Sequence, residues 1–160
     1  MNLKKKLIII FSVVGALALA TVSFLSVDIV RAKQFKLTLK AKSSETIIAD
    51  GTSAVTFKVN LSRFDEPVEG HSIYIYVSNG SLGSARQVTD EDGNIKFTYY
   101  SYLYVNERVS SLDDVVFNLQ DESNSLVFTI PAKLTFNMPV EKSDEGSIDK
   151  DWQGEEIIRS

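Results

Sequence analysis

Between Phe35 and Met138 the apolar side chains recur at every second position, in short runs parted by turn residues. An α-helix repeats every 3.6 residues and cannot gather such runs on one side, whereas a strand turns successive side chains to opposite faces. The runs are Phe35/Leu37/Leu39/Ala41, Val55/Phe57/Val59/Leu61, Ile73/Ile75/Val77, Ile95/Phe97/Tyr99, Val115/Phe117/Leu119, Leu126/Phe128/Ile130 and Leu134/Phe136/Met138. The positions between them are mostly polar, as in Thr56, Lys58 and Asn60. About seven strands, each with one apolar face, bury that face against a second sheet. The pattern therefore predicts an all-β chain, an antiparallel sandwich over 35–138. Its expected core includes Phe57, Val59, Ile75, Phe97, Phe117, Phe128 and Phe136. No stretch between 35 and 140 carries a helical period.

The gaps between runs hold turn chemistry. Asp50-Gly51, Asn79-Gly80 and Asp92-Gly93 supply residues that tolerate positive φ, and the Asp50 and Asp90 side chains can accept backbone N–H bonds in Asx-turns. Pro67 presets φ and cannot donate into a ladder. Taken in order, Ala49-Asp50-Gly51-Thr52-Ser53, Pro67-Val68-Glu69-Gly70, Ser78-Asn79-Gly80-Ser81-Leu82 and Thr89-Asp90-Glu91-Asp92-Gly93 form a strand-turn grammar over roughly 45–100. That grammar resembles the bacterial Ig-like domains of the invasin/intimin type. The resemblance implies an Ig-like sandwich outside the cytoplasm and brings no catalytic residues with it. Ser101–Arg108 departs from the family, which closes with a small, Thr/Val-rich strand.

The N-terminus obeys a different rule. Lys4, Lys5 and Lys6 precede the uncharged run Leu7–Val27 of 21 residues, and a spanning helix needs about 20. The lysines favour a cytoplasmic start, which places the remainder beyond the membrane. A cleaved signal peptide is the alternative, because Ala16-Leu17-Ala18 and Ala18-Leu19-Ala20 fit the small-x-small cleavage pattern. The apolar run continuing through Phe24, Leu25 and Val27 argues for an uncleaved anchor. The expected organisation is a cytoplasmic start (1–6), a transmembrane helix (7–27), a linker (28–34), the sandwich (35–138) and an acidic tail (139–160).

Charge is divided along the chain. Residues 1–34 carry five basic side chains against one acidic; the rest carries twelve against twenty. An acidic ectodomain argues against nucleic acid and against electrostatic docking on anionic lipid. The chain has no cysteine, which excludes disulfides, thiol nucleophiles and Cys-ligated metals. Residues 141–160 hold seven acids and three bases, too polar to order themselves. Trp152, Ile157 and Ile158 are read as incidental apolar residues of a flexible tail or as a short docking motif.

Candidate chemistry is sparse. His71, the single histidine, stands beside Gly70 without a nucleophile elbow and reads as a solvent-facing or turn residue. Asp90-Glu91-Asp92-Gly93-Asn94 lacks the register of a calcium loop and reads as a tight turn, with a weak cation site as the alternative. Asp113 and Asp114 point to opposite faces of a strand. Lys58 and Lys96 fall on outward positions, away from any core isopeptide. The sequence thus points to a non-enzymatic chain with no catalytic residues, cofactor or metal.

The tyrosines are the candidate binding residues. Tyr74 and Tyr76 share the outward side of one strand, and Tyr99, Tyr100, Tyr102 and Tyr104 crowd another. Tyrosine gives large contact area at low entropy cost and is enriched in interfaces; cross-strand aromatic pairing is the structural alternative. The expectation is one partner-binding face of Tyr74, Tyr76, Tyr100 and Tyr102, assisted by Trp152. The functional reading is a single-pass, membrane-tethered, extracytoplasmic module that binds or scaffolds an envelope protein, surface protein or cell-surface polymer. It meets the lipid bilayer through 7–27. The alternative is an adhesin contacting host or neighbouring cells, which the short reach of one sandwich, about 40 Å from the bilayer, makes strained.

Overall fold

A computed structural model describes residues 3–105, 112–123, 127–128 and 130–143. It opens with helix α1, Leu3–Gln34. Its long apolar side chains, from Leu7 to Val30, stand exposed rather than packed on the sandwich. The hydroxyls of Thr21, Ser23 and Ser26 donate to the carbonyls of Leu17, Leu19 and Val22 at 2.8–2.9 Å. Such back-bonding satisfies polar groups within the helix, as apolar surroundings require. The helix does not stop at Val27. It continues through the segment read from sequence as a linker and passes directly into the first strand.

The strands in chain order are β1 (Phe35–Lys42), β2 (Ile47–Ile48), β3 (Ala54–Arg63), β4 (Glu66–Pro67), β5 (Ser72–Val77), β6 (Ser81–Leu82), β7 (Arg86–Val88), β8 (Asn94–Tyr100), β9 (Val115–Asp121), β10 (Ala132–Met138) and β11 (Val140–Glu141). One sheet runs β1-β3-β8-β6 with β4 beside β3; the other runs β10-β9-β5-β7. Pairing within both is antiparallel. Six of the expected runs are these long strands, and the molecule is the antiparallel sandwich that period two requires.

Two expectations about the second half fail. The run Leu126/Phe128/Ile130 is not a strand where it is described: Phe128 and Ile130 lie outside the ladders, and Leu126 lies outside the described residues. The amides of Val127 and Phe128 instead donate to Asp28 Oδ2 on the helix, at 3.0 and 2.7 Å. Pro131 then interrupts any ladder leading to β10. Phe128 is only half-buried and does not belong to the core cluster. The tail also begins later than expected. Residues 140–141 form β11, parallel to β2, with Val140 opposite Ile47.

The core lies between the sheets and is aromatic at its centre. Phe57, Phe97 and Phe117 are buried, with the Phe57 ring 5.1 Å from Phe97 and 4.8 Å from Phe117. Phe136, half-buried, stacks on Phe117 at 4.9 Å. Along β3, Val55, Phe57, Val59 and Leu61 are buried while Lys58 is exposed, so the expected register holds. Gly93 shows what the turns demand. It has φ +70, and a Cβ there would stand 2.4 Å from the Leu61 carbonyl. Only glycine fits that approach without the backbone shifting.

Candidate functional site

The outward positions of β5 carry Tyr74 and Tyr76, 39% and 56% exposed, while Ile73 and Ile75 between them are buried in the core. Register places Gln120 and Arg86 beside Tyr74, and Asn118 beside Tyr76. On the far side of β9, Lys133 and Thr135 continue the same two rows, and the Thr135 hydroxyl donates to Asn118 Oδ1 at 2.7 Å. Arg86 is held by Glu122 at 2.7 Å. The result is a broad sheet face with two tyrosines set among amides and flexible cations. Among the described residues no ring packs against either tyrosine, so their neighbours do not form a cross-strand aromatic pair. Rigid amphipathic rings amid adaptable hydrogen-bonding groups can contact a protein or a polymer at small entropic cost.

Tyr100 and Tyr102 do not join this face. Tyr100, 44% exposed, projects from β8 in the other sheet, between Ala54 and Ser81. The outward faces of a two-sheet sandwich point away from each other, so Tyr74 and Tyr76 stand on the opposite side of the molecule from Tyr100. Tyr102 is half-buried against the core, and burial, aided by the nearby Asp113 carboxylate, pushes its phenol above the ordinary value. The single four-tyrosine face expected from sequence is therefore two separate surfaces plus a packing residue. Trp152 lies outside the described residues. Tyr99 is fully buried; burial, with Tyr102 beside it, pushes its phenol up to about 12.

One residue, His71, behaves unlike its sequence reading, and Asp90 behaves as read. His71 is neither solvent-facing nor confined to a turn. Its Nδ1 lies 2.9 Å from Asp121 Oδ2, and Asp121 is wholly buried, its Oδ1 accepting from the Ser123 amide at 2.9 Å. The Phe35 ring lies 5.2 Å from the imidazole. An open groove of about 380 Å³ adjoins this pair, bounded by Phe35, Arg63, Phe64, Pro67 and His71. Asp90 acts as a turn former: its Oδ1 accepts from the amides of Asp92 and Asn94 at 3.1 and 2.7 Å.

Asp50 builds the far corner. Its Oδ1 accepts from the amides of Thr52 and Ser53 and from the Ser101 hydroxyl, at 2.6–2.9 Å, and Oδ2 accepts from the Ser53 hydroxyl at 2.5 Å. Burial pushes this carboxyl up, but the four hydrogen bonds outweigh it and hold the acid well below the usual carboxylate range.

No family model matches the chain, and no curated protein is similar to it. Solved structures are. The fold is similar to that of the D0-D1 domains of intimin, with 18% identity, covering 64% of this chain and 48% of that one, at a TM-score of 0.45. It is also similar to a C-terminal 282-residue fragment of intimin in complex with the intimin-binding domain of the translocated intimin receptor, with 16% identity, covering 64% of this chain and 33% of that one, at 0.48. A third is a conjugate transposon protein (residues 27–141) from Bacteroides vulgatus, with 13% identity, covering 66% of this chain and 83% of that one, at 0.42. The likeness is one of fold. This chain spans less than half the length of those intimin structures.

Proposed function

We propose that this chain is a membrane-tethered, non-enzymatic Ig-like module of the bacterial envelope, binding a partner protein or surface polymer through the Tyr74/Tyr76 face. Helix α1 is the anchor in this reading, crossing the bilayer with Leu7–Val27. Its support is length, composition and the outward exposure of every long apolar side chain from Leu7 to Val30. The acidic tail with Trp152 is a second contact in the same reading.

One observation carries the binding surface. The inner side of β5 is already spent on the core through Ile73 and Ile75, yet its outer side holds two exposed aromatic rings. A sandwich strand needs only one apolar side to fold, so folding leaves those rings unexplained. Crosslinking in native membranes from a photoreactive group at position 76 is expected to capture a partner. Y74S/Y76S is expected to abolish capture while the melting temperature stays within a few degrees of the parent. Unfolding of that variant, with nothing captured by the parent, would return both tyrosines to a structural role.

A further inference from the structure

The end of the sandwich nearest α1 carries exposed apolar side chains that neither sheet needs. Val127, on the loop joining β9 to β10, is 56% exposed, and Phe64, in the turn joining β3 to β4, is 69% exposed. Their placement relative to the helix is fixed by hydrogen bonds. Asp28 is 1% exposed and receives the amides of Val127 and Phe128. Arg63 donates to Gln34 Oε1, on the last residue of the helix, from Nε at 3.2 Å and from Nη2 at 2.7 Å.

The helix itself supplies a depth scale. The uncharged run Leu7–Val27 rises about 32 Å, against a hydrocarbon layer of about 30 Å. Lys6 on one side and Asp28 with Arg31 on the other prevent the run from sliding, because charges are expelled from hydrocarbon. Asp28 therefore marks the outer hydrocarbon boundary, and the loop bonded to it lies at the same depth. Gln34 is six residues further on, about 9 Å along the axis, at the outer side of the headgroup layer. The Phe64 turn sits at that level.

Phe64 also occupies a costly conformation. It and Asp65 have φ +53 and +66, in a two-residue hairpin turn that favours Asn-Gly. A bulky residue in the left-handed region, exposed at a loop tip, points to a role outside the fold. The Arg63 guanidinium lies 5.4 Å from the centres of both the Phe35 and Phe64 rings, a cation set beside aromatic rings as membrane interfaces favour.

We propose that this end of the sandwich is a lipid-docking surface. Val127 and Phe128, pinned to Asp28, and Phe64, at the tip of the β3–β4 turn, seat in the phospholipid interface of the bilayer that α1 crosses. The proposal rests on α1 being a membrane anchor, and its test separates the two. The full chain, with W152F to remove its only tryptophan, is reconstituted in phosphatidylethanolamine–phosphatidylglycerol vesicles. Single probes V127W, F64W, F11W and L103W are compared, Leu103 lying at the opposite end of the sandwich beside Gly51. Lipid brominated along its chains is expected to quench F11W. Lipid spin-labelled at the headgroup is expected to quench V127W and F64W, leaving L103W bright. If F11W is quenched while V127W and F64W stay as bright as L103W, the anchor stands and the docking surface is overturned. If F11W also stays bright, the anchor fails and the docking surface fails with it. Should V127W misfold, F64W decides alone, in either direction.

Discussion

Two aspartates organise opposite ends of this molecule by different means. Asp50, at the far corner, gathers donors chiefly from its own turn: Thr52 and Ser53 lie two and three positions away. Asp28, at the helix, takes its donors from residues 99 and 100 positions away. The first arrangement closes a turn and ties it to Ser101 at the end of β8. The second docks a loop onto an element that belongs to neither sheet. A local network is tied to the stability of the core, whereas a docking contact can open without unfolding it.

The sharpest way to break this contrast is to compare two phenylalanines. Phe57 is fully buried among Phe97, Phe117 and Phe136. F57A is expected to cost about 3–5 kcal/mol through lost burial and the cavity left behind. Phe128, pinned beside the helix, is expected to cost less than about 1 kcal/mol when replaced by alanine, in the range of sites outside the core. Urea denaturation of both variants tests the pair, and equal losses would dissolve the distinction between core and junction.

The two ends differ in how readable they were. Alternation in β3, β5, β8 and β9 exposed the sandwich, and Asp50 and Asp90 revealed their turns because donor and acceptor lie within four residues. Leu126/Phe128/Ile130 alternates just as convincingly, yet the Asp28 carboxylate captures the amides of Val127 and Phe128. Nothing within ten residues of Phe128 announces that partner. His71 and Asp121, 50 positions apart, were hidden for the same reason. The tyrosines were visible as exposed rings, but alternation assigns a side chain to inside or outside without saying which sheet it belongs to. Tyr74 and Tyr100 therefore looked like neighbours until pairing placed them on opposite faces.

Removing the far corner's carboxylate should have the next largest effect. D50A strips four hydrogen bonds from a charged acceptor and is expected to cost about 2 kcal/mol, read as a lower urea midpoint. The same carboxylate gives the fold an acid sensitivity. Its folded value lies below the ordinary 3.8, so its stabilisation is complete above that value and is lost as pH falls through the folded one. Between about pH 6 and about pH 3 the parent is expected to lose more stability than D50N. Identical losses would mean that the corner contributes nothing through its charge.

The smallest global effect is expected at Asp28. D28A should leave the melting temperature within a few degrees while the amides of Val127 and Phe128 exchange with solvent markedly faster. Protection that survives in D28A would show that the loop is held by its side chains rather than by the carboxylate.

Because α1 runs into β1 with no intervening loop, the sandwich has no swivel against the helix. Each residue of a helix rotates the chain beyond it by about 100° and lifts it by about 1.5 Å. With α1 as the proposed anchor, the bearing of the Tyr74/Tyr76 face in the plane of the bilayer is written into the residue count between Val27 and Phe35. One added residue would aim that face at a different quarter of the membrane while leaving its chemistry untouched. A partner embedded alongside would be met or missed according to the length of a segment it never contacts.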